Sequence, residues 1–331
     1  MTIEKKAYAR AGLLGNPSDG YFGKIIAISV KNYSARVRLD ESPDLRIEPS
    51  AQDAEVYKDD REFLERLNLH GYYGGTRLIK AAVKTFFDYC RSQNISTQPT
   101  NFTLRYDSDI PRQVGLGGSS AIIVAAMRAL MAFHGVSIPD EILPTLVLRA
   151  EFKELGINAG FMDRVVQVYE GCVYMDLNRN LIEGRGFGKY ERLDPGLLPP
   201  LYVACKPDLG KVSGAVLNEI RVAYDRGDSR VIGTLEQIAG LAEEGRKDYD
   251  RGDFSRWPDL MNRNFDLRSR IMQISPSNME MIQTARRCGA SAKFAGSGGS
   301  LVGIYRDENM FERLSQELGE LGAKVIRPQV V

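Results

Sequence analysis

Ile110-Pro111-Arg112-Gln113-Val114-Gly115-Leu116-Gly117-Gly118-Ser119-Ser120-Ala121 places three glycines and two serines directly before an apolar, helix-like run, Ile122 to Phe133. Glycine lets backbone N–H groups converge with no Cβ in the way. The start of a helix adds unpaired donors and partial positive charge. Together these make a seat for a phosphate chain, and the serine hydroxyls are candidates to meet a metal or a phosphoryl oxygen. The same turn also suits ordinary helix capping. It is not a Walker A loop, because no G-x-x-x-x-G-K-[ST] occurs in the chain. The H-R-D and D-F-G elements of protein kinases are absent from the sequence as well.

Composition narrows the field around this loop. The chain has 331 residues, 43% hydrophobic and 26% charged, which is globular material and long enough for two domains. A formal net charge of +1 gives no basic field for nucleic acid. Cys90, Cys172, Cys205 and Cys288 show no C-x-x-C spacing, so they read as small buried hydrophobes in a reducing cytosol. The two histidines, His70 and His134, lie in no nucleophile motif, which disfavours a Ser-His-Asp hydrolase. His134 precedes Gly135 at a helix end, where a cation suits the dipole. The apolar segment Ala121–Phe133 is too short to span a bilayer and contains Arg128. With no apolar run after Met1–Lys6, the expectation is a cytoplasmic protein that meets neither membrane nor nucleic acid. Nothing in the sequence fixes an oligomeric state.

Periodicity places the loop in a mixed α and β chain. Strands are expected over 7–14 and 24–40, where Ala35-Arg36-Val37-Arg38-Leu39 alternates with period two. Helices are expected over 59–69 and 75–92, and a strand over 101–106. After the loop come helices over 119–134 and 139–155, a short helix around Val165–Tyr169, and a strand over 171–177. The stretch 184–200 holds Gly184, Gly186, Gly188, Pro195, Pro199 and Pro200, so the domain boundary is drawn there, giving domains 1–195 and 196–331. Beyond it are a strand over 201–205, a helix through Val212, Val216 and Ile220, and helices over 229–250, 253–272 and 277–289. A second Gly-rich loop, Gly296-Ser297-Gly298-Gly299, precedes a strand over 301–305, a helix over 308–321 and a last strand over 324–330.

Three segments in order sharpen the reading: Arg10-Ala11-Gly12-Leu13-Leu14-Gly15-Asn16-Pro17-Ser18-Asp19, the Gly115–Ala121 loop, and Gly296–Gly299. In that order they resemble the GHMP kinases, the superfamily of galactokinase, homoserine kinase, mevalonate kinase and phosphomevalonate kinase. The resemblance runs over essentially the whole chain. Within the superfamily the chain is similar to the glucuronokinase branch, through Gly12–Asp19, Gly71-Tyr72-Tyr73-Gly74-Gly75, Ile110–Gln113, Asp163-Arg164-Val165, Leu260-Met261-Asn262, Asn264–Arg268 and Lys293-Phe294. An extra residue between Leu116 and Ala121 is also similar to that branch. Galactokinases carry Gly-Glu-His-Thr-Asp where this chain has Gly15-Asn16-Pro17-Ser18-Asp19, a departure that argues against galactose.

The resemblance implies a two-domain α+β fold. A ribosomal protein S5 domain 2-like N-terminal domain would carry ATP and the catalytic groups. A ferredoxin-like C-terminal domain would close the substrate pocket. It implies an ATP- and Mg²⁺-dependent sugar 1-kinase acting on a small sugar acid, glucuronic acid, with another sugar such as galactose, galacturonate or a heptose as the alternative. An inactive ATP- and sugar-binding sensor is the alternative of another class. Asp163 matches the family's catalytic carboxylate and Arg10 the cation beside it. The ATP loop would be Pro111, Gly115, Leu116, Gly117, Gly118, Ser119, Ser120 and Ala121. Ser120 matches the metal-touching serine, with Ser119 adjacent. Glu151 matches the metal-binding glutamate, with Glu154 as its competitor. The substrate would meet Asn16, Asp19, Tyr72, Gly296, Ser297 and Gly298. Arg268 is the first choice to pair with the sugar-acid carboxylate, with Arg77 and Arg112 as rivals.

Overall fold

Two long strands organise the first half of the chain. Thr2–Leu14 (β1) pairs antiparallel with Lys24–Glu41 (β2), from Thr2 opposite Asp40 to Leu14 opposite Ile26. The computed structural model describes residues 1–50, 53, 74–207 and 213–330, with the side chains of 213–218 left aside. The expected helix over 59–69 lies outside the described residues. Arg46–Ile47 (β3), Phe102–Ser108 (β4), Cys172–Asp176 (β5) and Lys189–Leu193 (β6) complete a six-stranded sheet. In this sheet β2 carries β1 along one edge and both β4 and β5 along the other.

The burial of β2 follows its surroundings. In its second half Ala35, Val37 and Leu39 point inward while Arg36 and Arg38 are exposed, the alternation of a sheet with one wet face. In its first half both faces are covered. Ile25 and Ala27 pack with Val165 and Val166, and Ile26 and Ile28 join the larger core with Ile238 and Leu241. Gly75–Ser92 (α1) and Gly118–His134 (α2) lie on this sheet, with α2 buried nearly all round.

The helix expected over 139–155 is split into Leu143–Arg149 (α3) and a π-helical turn, Ala150–Glu154. Met162–Tyr169 (α4) follows. The Gly- and Pro-rich stretch 184–200 hides the end of a helix, Arg179–Arg185 (α5), and strand β6, which pairs fully with β5. The chain leaves the first sheet at Leu193 and enters the second at Leu201.

Leu201–Cys205 (β7), Lys293–Phe294 (β8), Ser300–Ile304 (β9) and Lys324–Ile326 (β10) form an antiparallel sheet in the order β10-β7-β9-β8. Numbered within the domain this is 4-1-3-2, the ferredoxin-like order. Ser213–Asp225 (α6), Ser229–Arg251 (α7), Trp257–Arg268 (α8), Pro276–Arg287 (α9) and Glu308–Glu320 (α10) accompany it. Pro258 sits in the first turn of α8 and sets its start later than expected. The last strand ends at Ile326, before Pro328, and Gln329 instead bonds with Lys31 and Asn32 of β2.

All four cysteines are buried and free. His134 corrects an expectation. It stacks on Phe86 and meets Phe87, Phe102 and Phe133 edge-on, and burial lowers its proton affinity, so it packs as a neutral ring rather than a capping cation. Among the described residues no helix is long and apolar enough to cross a membrane.

Candidate active site

The three Gly-containing segments converge on one cavity of about 470 Å³, a size suited to a small ligand. Gly117 caps α2 with φ of 78°. A Cβ there would stand 2.9 Å from Gln167 Nε2 and 3.3 Å from Asp163 Oδ2, so the loop needs glycine for both conformation and space. The first helical bond of α2 runs from the Ala121 N–H to Gly117 O, at 3.1 Å. The N–H groups of Gly118, Ser119 and Ser120 precede it, as an anion seat requires. Gln167 Nε2 donates to Gly117 O at 2.7 Å and holds the loop from behind.

Arg10, on β1, ties the Gly115–Ala121 loop to α4. Its Nε donates to Asp163 Oδ1 at 2.7 Å, its Nη2 to Asp163 Oδ2 at 2.6 Å, and its Nη1 to Gly115 O at 2.6 Å. The third segment lies on top. A Cβ on Gly296 would fall 2.2 Å from Gly115 O and 2.8 Å from Arg10 Nη1. Ser300 Oγ donates to Val114 O at 2.6 Å, pinning β9 to the phosphate loop.

Glu151 occupies the π-helical turn and is fully buried. The extra residue of such a turn reorients a side chain; here Oε1 of Glu151 accepts from Ser119 Oγ at 2.9 Å, and Oε2 takes Arg164 Nε at 2.6 Å together with Arg164 Nη2. Its competitor Glu154 pairs instead with Lys84, 2.8 Å away.

Two carboxyls of this cluster titrate in opposite senses. Burial favours the proton on Asp163, but the Arg10 and Arg164 charges outweigh it and hold that carboxyl below its usual range. Asp19 is pushed up to about 6 by burial and by the Asp163 charge, against the Met162 N–H that donates to its Oδ2 at 3.2 Å. Arg268 is buried and uses three of its five N–H donors on Gly296 O (2.6 Å), Ser297 O (3.3 Å) and Met272 Sδ. Burial pulls its pKa down to about 10.

Arg10, Asn16, Asp19, Pro111, Gly115, Leu116, Gly117, Gly118, Ser119, Glu151, Asp163, Arg268, Gly296 and Ser297 all line the cavity, as do the rivals Arg77 and Arg112. Three expectations need correction. Ser120 is fully buried, off the cavity, and donates to Gly117 O at 3.1 Å, so Ser119 is the serine that faces the site. The residue after Gly118 points outward from the helix start and the next one points into the core. Ala121 is core for the same reason. Gly298 does not line the cavity; its carbonyl packs toward Gly115. Tyr72 lies outside the described residues.

Sequence reasoning missed Arg164, Gln167, Asn264 and Lys293 as working parts. A signal existed for Gln167: it follows Asp163 by four residues, so both share one face of α4. Asn264 and Arg268 share a face of α8 in the same way. Lys293 stands in a segment similar to the glucuronokinase branch, but no spacing along the chain assigns it a partner or a role.

The hard-oxygen pair of Ser119 and Glu151 fits a divalent cation that keeps most of its ligands from phosphate and water. Among the described residues no cluster of three or more His, Cys, Asp or Glu could hold a metal alone.

Comparison with known proteins agrees with this geometry. The family model described as GHMP kinases N terminal domain matches residues 77–171, and that described as GHMP kinases C terminal matches 242–324. Glucuronokinase 1 of Arabidopsis thaliana is 43% identical over 306 residues, covering 91% of this chain and 84% of that protein. Probable glucuronokinase 2 of the same plant is 44% identical over 307 residues, 91% of this chain and 83% of its own length. Lactococcus lactis galactokinase, solved with galactose, superposes with a TM-score of 0.78 at 16% identity over 99% of this chain and 93% of that one.

Proposed function

The chain belongs to the GHMP kinases and is an ATP-dependent sugar kinase, and on that footing we propose that its acceptor is D-glucuronate, phosphorylated at the C1 hydroxyl. The observation that carries the chemistry is the Arg10–Asp163 pair, clasped to Gly115 O beneath the phosphate loop. The identity to two plant glucuronokinases carries the acceptor.

In this reading the triphosphate lies along Gly115–Ser119 at the start of α2, where the early N–H groups and the helix dipole favour negative charge. The C1 oxygen of the sugar attacks the γ-phosphorus, the new C1–O–P bond forms, and the bond from the γ-phosphorus to the β–γ bridging oxygen breaks to release ADP. The hydroxyl proton passes to the Asp163 carboxylate. Arg10 keeps that carboxylate ionised until the proton arrives and offers positive charge beside the transferring group. Asp19 accepts hydrogen bonds from sugar hydroxyls. Ser119 and Glu151 would hold Mg²⁺, whose charge would offset that of the nucleotide's phosphates. Arg164, bonded to Glu151 and to Gly160 O, keeps the glutamate in place. Arg268 supplies a cation for the C6 carboxylate; a guanidinium matches it in charge and shape. Residues 1–195 form the catalytic domain of this scheme and 196–331 the domain that closes it.

The test is a substrate panel with Mg-ATP: glucuronate, galacturonate, galactose, glucose and mevalonate, with the product identified by phosphorus NMR. Glucuronic acid 1-phosphate should be the preferred product. Faster turnover of galactose or of a heptose would refute the acceptor and leave the sugar-kinase chemistry standing.

A further inference from the structure

Asn16 lines the cavity, is buried, and has an amide fixed from two sides. Its Oδ1 accepts from Lys293 Nζ, and its Nδ2 lies 3.5 Å from Phe294 O. Lys293 is itself buried, with two further acceptors in Gly12 O at 2.6 Å and Phe294 O at 2.9 Å. Three acceptors match the three N–H bonds of an ammonium group. A neutral amine would press its lone pair against one of them. Burial, followed by the Arg268 and Arg10 charges, lowers the proton affinity of Lys293 well below normal; the three-oxygen cage works against that and favours the charged form.

An amide's orientation follows from its hydrogen-bond network. A cation can only face the oxygen, so Lys293 claims the Asn16 carbonyl end and leaves the N–H end as donor. The backbone is fixed as well: Asn264 Nδ2 donates to Asn16 O at 2.9 Å, and Gly15 N–H donates to Asn264 Oδ1 at 2.8 Å. One helical turn further along α8 stands Arg268, with no carboxylate at ion-pair distance among the described residues. This corner therefore presents donors and a buried cation that feels the Asp19 charge but has no carboxylate in direct contact, an arrangement an incoming anion would relieve.

We infer that Asn16 and Arg268 together hold the carboxylate of the acceptor sugar acid, and that Lys293 is the positioning residue that presents the Asn16 amide as a donor. The inference rests on the sugar-acid reading above. A sugar hydroxyl both donates and accepts, so an acceptor at position 16 would serve it; a carboxylate only accepts. A donor at position 16 serves either group, whereas an acceptor there serves the hydroxyl and repels the carboxylate, so exchanging one for the other separates acid from neutral sugar.

Asn16→Asp tests this with little change of shape. The new carboxylate would pair with Lys293, so the melting temperature should hold or rise. The N–H donors disappear and a negative charge faces the substrate's own. The expected result is a fall on the order of 100-fold in kcat/KM for glucuronate, mostly through KM. Turnover of glucose should fall far less, so the glucuronate-to-glucose ratio collapses. Lys293→Met should lower the same ratio roughly tenfold by freeing the amide to turn. An unchanged ratio in Asn16→Asp overturns the inference, and an unchanged ratio in a folded Lys293→Met removes Lys293 from it. Wild-type protein that shows no preference for glucuronate over glucose removes the acceptor reading first and this inference with it, a result seen before either variant is made.

Discussion

Replacing Asp19 with Asn should make the protein more stable and less active, and the stability gain should depend on pH in one direction only. Asp19 is a carboxyl pushed from 3.8 to about 6 by burial and by the neighbouring Asp163 charge. The folded chain therefore binds more protons than the unfolded chain between about pH 4 and 6. Stability contributed by this group is complete below that window and is lost as pH rises through it. The gap of about two pH units corresponds to ~3 kcal/mol of cost once Asp19 is ionised. The amide of Asp19→Asn carries no charge and can still accept the Met162 N–H. At pH 7.5 the variant should gain up to ~3 kcal/mol, roughly 5 °C in melting temperature for a chain of this size. At pH 3.5 the difference should vanish. Thermal unfolding of both proteins across pH 3.5–8 measures this, because contributions from groups that do not interact with Asp19 cancel in the difference, leaving Asp19 and its neighbour Asp163. KM for the acceptor should rise at the same time, since in the proposed scheme the ionised carboxylate accepts from sugar hydroxyls. A variant no more stable than wild type at pH 7.5, or a gap that does not change with pH, would refute the argument that Asp19 is held ionised against a penalty.

Three further outcomes follow from the same cluster. Ser119→Ala should lower kcat/KM for ATP by roughly 10- to 100-fold, whereas Ser120→Ala should cost at most ~1 kcal/mol of stability and leave turnover near normal; steady-state kinetics and melting curves separate them. Asp163→Asn should reduce kcat by roughly 100-fold or more with nucleotide affinity largely kept, and near-normal turnover would take the proton-accepting role away from this residue. Arg164→Met should destabilise the fold by ~3–5 kcal/mol by leaving Glu151 buried without its counter-charge, visible as a lower denaturant midpoint, and unaltered stability would show that Glu151 is not held by that pair.

Much of the fold was legible because long elements advertise themselves. The alternation Ala35-Arg36-Val37-Arg38-Leu39 and the apolar run of α2 each allow one secondary structure. Strand β6 was hidden because its flanking glycines and prolines looked like a linker, and its pairing with β5 is a tertiary fact. The break of α3 into a π-helical turn was illegible for a similar reason: Glu151 turns inward because Arg164 and Ser119 await it. At the site, motif matching found residues but not orientations. Ser119 and Ser120 are equivalent in a motif and opposite on a helix, which is how Ser120 was preferred and Ser119 faces the cavity. The buried positions of Lys293 and Asn264 depend on contacts across some 250 residues of chain, beyond the reach of local spacing.

Those distant contacts bear on how acceptor preference is inherited. In the proposed scheme the Gly115–Ser119 loop, Arg10 and Asp163 handle phosphate from the first sheet and its helices, while Asn264, Arg268, Lys293 and Gly296 approach the acceptor from the second half of the chain. A chimera that joins residues 1–195 to the second half of a relative would keep its phosphate-handling parts and exchange the wall against which the acceptor rests. Choice of sugar should then change only in part, because Asn16 and Asp19 stay with residues 1–195, and only where the graft restores partners for Gly12, Gly15 and Asn16. Exchanging one acceptor for another therefore calls for matched changes on both sides of the seam, at Asn16 on one and at Arg268 and Lys293 on the other, with the phosphate-handling parts left as they are.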